Sequence, residues 1–319
     1  MTLTVGITGG SGYIGSKLSG VLLERGHAVR ILDNFSSSSQ SNLADLDVQV
    51  FEGDILEGPD VRRFLEGVDF VYDLAGVASV PESLRKPREC FEVNAYGRYA
   101  VLDALREKPI QGYLFSSSVA AIYGDPEYTP VDEGHPVKPH NIYGVAKRAS
   151  ELMVLQEHRK WGLPLTVVRQ SNVYGPSPGM KFDSVVHIFV QRALSGQPLK
   201  ISGSGEQVRD FIYIDDLISA YVAILDSPSV AGETLNLAGG AGSEMSIAGL
   251  ARMVAEITAE RGHPETTVEH MPQQQKGESL DLEVSTQRAR QLINFAPEID
   301  LRSGLESTID YVERILDHC

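Results

Sequence analysis

Apolar runs of four to six residues recur at 3–8, 28–32, 48–51, 70–74, 113–117 and 165–169. Few of them alternate as a strand with one wet face would, so they read as strands buried on both sides. Between them, 13–25, 91–107 and 144–160 carry apolar residues at helical spacing. Strand and helix in turn predict a parallel sheet covered by helices on both faces, a doubly wound α/β architecture.

Past about residue 172 the pattern changes. Gly175-Pro176-Ser177-Pro178-Gly179 breaks it, and the segments that follow are shorter and less regular. Helices are expected at 183–195, 215–226, 246–260 and 303–316. The expected division is a first domain over 1–171, rejoined by a segment at about 206–240, and a smaller α/β lobe drawn mainly from 172–319. The serine run at 36–41 reads as a polar surface loop, and no internal repeat is present. Ligands tend to bind at sheet edges and where lobes meet.

The first run leads into Thr8-Gly9-Gly10-Ser11-Gly12-Tyr13-Ile14-Gly15, which opens the first helix. Glycines at 9, 12 and 15 meet three demands: a tight turn, backbone approach to a pyrophosphate, and close packing of helix on strand. The helix N-terminus presents N–H groups to the phosphates. Asp33 ends the second run, 24 positions after Gly9, where a carboxylate accepts both ribose hydroxyls. The same charge repels a 2′-phosphate, and Asn34 and Phe35 beside it bring no cation, which favours NAD over NADP. Asp54, after the third run, is a candidate partner for the adenine amino group. The sheet is then of Rossmann type.

Tyr143 and Lys147 are four apart, one turn along the same helix face. A free phenol, with a pKa of about 10, is a poor base at neutral pH. A fixed cation beside it favours the phenolate. An ordinary exposed pair has the same spacing, so the catalytic reading draws on the nucleotide-binding turn that accompanies it.

Composition narrows the class. With 42% hydrophobic and 22% charged residues the chain is an ordinary globular one, and its net charge of −15 argues against nucleic acid or an anionic membrane as partner. A local cluster of cations and backbone amides still admits an anionic ligand. Cys90 and Cys319 offer neither a disulfide framework nor metal-ligand spacing. With no signal segment and no apolar stretch of 18 residues, the protein is expected to be cytoplasmic.

Together these segments resemble the extended short-chain dehydrogenase/reductase family, and within it the NAD-dependent nucleotide-sugar epimerases of the UDP-glucose 4-epimerase type. The likeness runs through Thr8 to Gly15, Leu32-Asp33-Asn34, Gly53-Asp54, Leu74-Ala75-Gly76, Ser79 to Ser83, Val93-Asn94, Phe115 to Ser118, Ile122-Tyr123-Gly124, Tyr143 to Lys147, Asn172 to Pro176, Gly203-Ser204-Gly205 and Arg209 to Asp216. It implies Tyr143 as acid/base, Lys147 as the ribose-holding cation that lowers its pKa, and a serine on the sugar oxygen. That serine is Ser118, with Ser117 as the alternative. Cofactor contacts are implied for Gly9, Ser11, Gly12, Tyr13, Ile14, Gly15, Asp33, Asn34, Asp54, Ile55, Leu74, Ala75, Gly76, Asn94 and Ser116. Substrate contacts are implied for Ser79, Ser118, Asn172, Val185, Arg209 and Glu278. The cofactor is NAD, the ligand a nucleotide sugar (a UDP-hexose first), and the assembly a homodimer. In that dimer Val101, Leu102, Leu105, Leu152, Val154 and Leu155 could pair, though core packing would explain them equally.

Three positions depart from the pattern. Gln170-Ser171 precedes Asn172 where the family has Tyr-Phe. Gln275 stands where a second phosphate-binding arginine is expected, with Lys276 able to substitute. Ser285 replaces an aspartate at the start of the next helix. These leave the redox centre whole and the sugar open. Val119-Ala120 after Ser118 lacks the Asp-Glu pair of a 4,6-dehydratase and the glutamate of a decarboxylase. The alternative that remains is an NAD(P)-dependent ketohexose reductase or dehydrogenase, which uses the same Ser-Tyr-Lys set.

Overall fold

All six apolar runs of the first half are strands in the computed structural model, which describes residues 2–240, 242–272 and 282–317. In chain order the strands are β1 (Thr4–Thr8), β2 (Ala28–Asp33), β3 (Gln49–Glu52), β4 (Phe70–Asp73), β5 (Gly112–Ser118), β6 (Leu165–Gln170), β7 (Asn172–Tyr174), β8 (Leu199–Ser202), β9 (Val208–Tyr213), β10 (Thr234–Leu237), β11 (Glu244–Ser246) and β12 (Val268–Met271). Seven of them form one sheet in the order β10-β6-β5-β4-β1-β2-β3, every pair parallel. This is the Rossmann-type doubly wound sheet. The chain returns to it through β10 and the helix Ile214–Leu225, more than 40 residues after leaving β6.

Helices cover both faces. Leu22, Ile218 and Tyr221, from helices Tyr13–Glu24 and Ile214–Leu225, pack on Ile7, Leu114 and Val168. On the other face Phe64, Leu102 and Val154 pack on Val71, Phe115 and Val167. The second lobe has a core of its own, with Phe189, Leu250, Val254, Leu305 and Ile309 between three helices, a three-stranded sheet (β11-β9-β7) and a two-stranded one (β12-β8).

One expectation needs correction. The helix expected at 91–107 is three pieces: Pro87–Phe91, a wide π turn over Glu92–Tyr96, and Gly97–Leu105. The backbone stays helical through the junctions, and the extra residue of the wide turn is the local device that places Asn94. Of the apolar residues offered for a dimer, Val101, Leu102, Leu105 and Val154 are wholly buried in the core. Leu152 is exposed, as are Tyr96, Tyr99 and Val145 near it.

The helix Ile142–Trp161 carries Tyr143 and Lys147. Asn141 caps its start by accepting from the Gly144 amide at 2.9 Å, and Gly162 ends it in the left-handed conformation. Gly144 lets the helix approach closely, because a Cβ there would lie 2.1 Å from the Ala121 carbonyl oxygen. What pins the helix to the sheet is Glu151. Its buried carboxylate accepts from Arg169 through Nε and Nη2, each at 2.8 Å, from Ser117 Oγ at 2.7 Å and from Arg148 at 3.0 Å. Burial opposes the charge, but these donors outweigh it and hold the carboxyl below its usual range. Removing one partner of such a buried pair strands the other charge. Arg169→Met is therefore expected to cost about 3–5 kcal/mol of unfolding free energy in urea denaturation. Arg302→Ala, which breaks exposed pairs with Glu256 and Glu260, should leave the midpoint close to wild type.

Candidate active site

One cleft of about 1110 Å³ runs along the carboxyl edge of the large sheet and on between the sheet and the second lobe. Its first part is walled by Gly9, Gly12, Tyr13, Ile14 and Gly15, by Asp33 and Asn34, and by Asp54 and Ile55. Gly9 makes the turn, with φ of +67°, and a Cβ on it would lie 2.8 Å from Ala75 Cα. Gly15 packs against the loop, where a Cβ would come within 2.6 Å of Gly10. Gly12 is the N-cap of the helix Tyr13–Glu24 and no side chain caps it. The first amides of that helix are thus presented to the cleft without a side-chain acceptor, which suits a phosphate.

Asp33 is held in place from inside. Its carboxylate accepts from the Ser11 amide at 3.0 Å, the Phe35 amide at 2.9 Å and Ser38 Oγ at 3.1 Å. Ser11 itself does not line the cleft; its role here is to orient Asp33. Asn34 reaches the Asp54 carboxylate at 2.8 Å, joining the two residues expected at the adenosine end. Phe35 has φ of +53°, a conformation bulky residues rarely adopt, and it turns the chain directly after Asp33.

Leu74, Ala75, Gly76, Ser116 and Lys147 line the middle of the cleft. Asn94 stands behind them. Its Oδ1 accepts from the Val77 amide and its Nδ2 donates to the Val77 carbonyl, both at 2.9 Å. These bonds fix the wall at Val77. A second buried set backs the same wall: Asp73 pairs with Arg98, Arg98 donates to the Ala75 carbonyl at 2.7 Å, and Thr8 Oγ1 donates to Asp73 at 2.5 Å.

Tyr143, Lys147 and Ser118 meet in the centre. Burial pushes the Tyr143 phenol up to about 12, while its hydrogen bond with Ser118 pulls the other way. Burial, aided by the Arg98 guanidinium, brings Lys147 down to about 7. Its Nζ donates to the Ser116 carbonyl at 2.7 Å and lies 5.9 Å from the Tyr143 ring centroid. Burial therefore outweighs the Ser118 hydrogen bond at the phenol. The two candidate serines make different contacts. Ser117 points to the opposite face of β5, where Glu151 takes its hydroxyl, and Ser118 faces Tyr143.

The second lobe supplies the far wall, with Ser79 opposite. Ser79 caps the helix Val80–Arg85, accepting from the Glu82 amide at 3.3 Å. Asn172 donates to the Asp210 carbonyl at 2.8 Å, and Val185 opens the helix Val185–Leu194. Arg209 lines the cleft and donates to the Val208 carbonyl. Lys181 and Lys200 also face this end, and no local sequence signal marks them. Glu278, Gln275 and Lys276 lie outside the described residues. Ser285, by contrast, accepts from the Gln287 amide at 3.4 Å just ahead of the helix Gln287–Ile293.

Among the described residues no helix is long and apolar enough to cross a membrane. A model of the NAD dependent epimerase/dehydratase family matches residues 5–238. The chain is 30% identical to a putative UDP-glucose 4-epimerase of Methanocaldococcus jannaschii, over 96% of its own length and 97% of the other. It is 31% identical to UDP-glucuronic acid decarboxylase 1 of Xenopus tropicalis, covering 98% of itself and 72% of that protein. The crystal structure of UDP-glucose 4-epimerase with UDP-glucose from Thermotoga maritima is similar to it with a TM-score of 0.91 at 30% identity, covering 98% and 100% of the two chains. The matched region holds the glycine loop, Asp33, Ser118, Tyr143 and Lys147, and the chain belongs to the NAD dependent epimerase/dehydratase family.

Proposed function

We propose that this protein is a nucleotide-sugar 4-epimerase acting on a UDP-hexose through a transient 4-keto sugar. The observation that carries the reading is the convergence of Ser118, Tyr143 and Lys147 in one cleft, between a glycine loop and a lobe presenting Asn172 and Arg209. The first half of the cleft fits NAD. The uncapped helix after Gly12 would hold the diphosphate, Asp33 the adenosine ribose, Asp54 and Ile55 the adenine, and Lys147 the second ribose. NAD bound there supplies the acceptor for the C4 hydride and later returns it.

The chain's own groups handle the proton. Tyr143 takes it from the sugar 4-hydroxyl as C4 loses hydride, and gives it back when the hydride returns to the other face of the ketone. Ser118 holds the same oxygen at both stages. A phenol pushed up to about 12 does this only when positive charge gathers beside it, which is the task of Lys147 once a ligand replaces the Ser116 carbonyl as its partner. Arg209 pairs with the substrate diphosphate, so the hexose can turn while the nucleotide stays anchored. Ala120 stands in the cleft wall just after Ser118 and Val119 is buried. That turn supplies no carboxylate for β-elimination or decarboxylation.

The direct test is to incubate the protein, with no added cofactor, with a panel of UDP- and dTDP-hexoses and follow C4 inversion by NMR. Inversion of a UDP-hexose by NAD carried through purification is the expected result; a stoichiometric demand for NAD(P)H would point to a reductase instead. Tyr143→Phe should lower turnover by on the order of 10²–10⁴ while NAD stays bound. A variant that turns over like wild type would remove Tyr143 from the chemistry. Lys147 predicts a pH effect on stability in ligand-free protein. Its pKa is about 7 folded against 10.5 ordinarily, so the unfolded chain binds more protons in that window and stability rises with pH. Relative to Lys147→Met, wild type should gain on the order of 2 kcal/mol between pH 7 and 9 in chemical denaturation.

A further inference from the structure

Gln170 ends β6 directly opposite Ser118 in the β5–β6 register. Its side-chain Oε1 meets two hydroxyls, Ser116 Oγ at 3.1 Å and Tyr221 OH at 2.5 Å. Tyr221 is fully buried on the helix Ile214–Leu225, its ring stacked on Tyr72 at 5.8 Å. It does not line the cleft; Gln170 and Ser116 do.

This cluster fixes which way the amide faces. Two hydroxyls bring two hydrogens and need an acceptor, which Oε1 provides. Turned over, the amide would add two more hydrogens to the cluster and leave a buried donor unpaired, at a cost. Nε2 therefore faces away from the cluster, and among the described residues it makes no hydrogen bond.

The sheet order says what lies above it. The switch point falls between β1 and β4, and a dinucleotide bound across it has its two halves on opposite sides. Asp33 and Asp54 mark the adenosine half over β2 and β3. The other half, which ends in a neutral carboxamide, extends over β4, β5 and β6, where Lys147 is already bonded to the Ser116 carbonyl. A primary amide donor at the end of β6 is complementary to a carboxamide oxygen.

We propose that Gln170, locked by Ser116 and Tyr221, donates through Nε2 to the carboxamide oxygen of bound nicotinamide and fixes the rotation of that ring over the sheet edge. The inference rests on the NAD-binding reading above. Its consequence is that one face of the ring meets the sugar at every turnover, while the sugar alone turns over.

The test measures NAD carried through gel filtration by wild type, Gln170→Met and Tyr221→Phe, and the rate at which each loses it on dilution. Melting curves establish that each variant is folded. Gln170→Met should lose NAD roughly five- to tenfold faster than wild type, the size of one lost hydrogen bond. Tyr221→Phe, which touches no ligand, should lose it about two- to threefold faster because the amide is freed to rotate. A wild-type rate in Gln170→Met overturns the donor role, as does an unchanged rate accompanied by a raised KM for the sugar nucleotide. A wild-type rate in Tyr221→Phe overturns the locking. If wild type carries no NAD, the NAD-binding reading fails with it; if all three carry it equally, only this inference fails.

Discussion

The buried carboxylate of Glu151 is the contact on which the site depends. It sits one turn beyond Lys147 on the helix Ile142–Trp161, and Arg169 on β6 and Ser117 on β5 both close on it. That single group ties the helix of Tyr143 and Lys147 to two adjacent strands. It also decides the serine. With Ser117 drawn to the helix face of β5, the alternation of the strand turns Ser116 and Ser118 towards the cleft. Ser118, Tyr143 and Lys147, drawn from a strand and a helix, are thereby fixed by one buried ion pair instead of by loops.

Charge is distributed with the same economy. The chain is strongly acidic overall, yet Lys147, Arg98 and Arg169 are buried in or behind the cleft wall, Arg98 paired with Asp73 and Arg169 with Glu151. Burial brings the Lys147 ammonium down to about 7 and pushes the Tyr143 phenol up to about 12. In the proposed reaction, bound groups that change the partners of Lys147 favour the phenolate, which ties the chemistry to occupancy.

Much of this could be read from sequence wherever the determinant is local. The glycine turn, Asp33 at a strand end, and the four-residue step from Tyr143 to Lys147 each follow from short-range geometry, and all lie on one cleft. The six early strands were equally legible because burial on both faces leaves continuous apolar runs. What escaped depends on contacts between distant segments. Nothing near Thr234 shows that β10 pairs with β6, and a tyrosine at 221 gives no sign of reaching Gln170. The contacts that Asn94 makes with Val77 and Ser11 with Asp33 likewise join segments that are distant in sequence. The apolar positions of 91–107 and 144–160 satisfy a core and a dimer face alike in sequence, and only packing separates Val101 and Val154 inside from Leu152 outside. Gln170 departs from the family pattern in sequence, and only the fold brings Ser116 and Tyr221 to its side-chain oxygen.

The central claim is that this cleft oxidises and restores the same carbon without exchanging its hydrogen with water. A UDP-hexose carrying deuterium at C4, turned over in ordinary water without added NAD and followed by NMR and mass spectrometry, tests it most directly. The account predicts a C4-inverted product that keeps its deuterium at C4 in full. Product carrying solvent hydrogen at C4, or deuterium lost while the configuration stays unchanged, would contradict it.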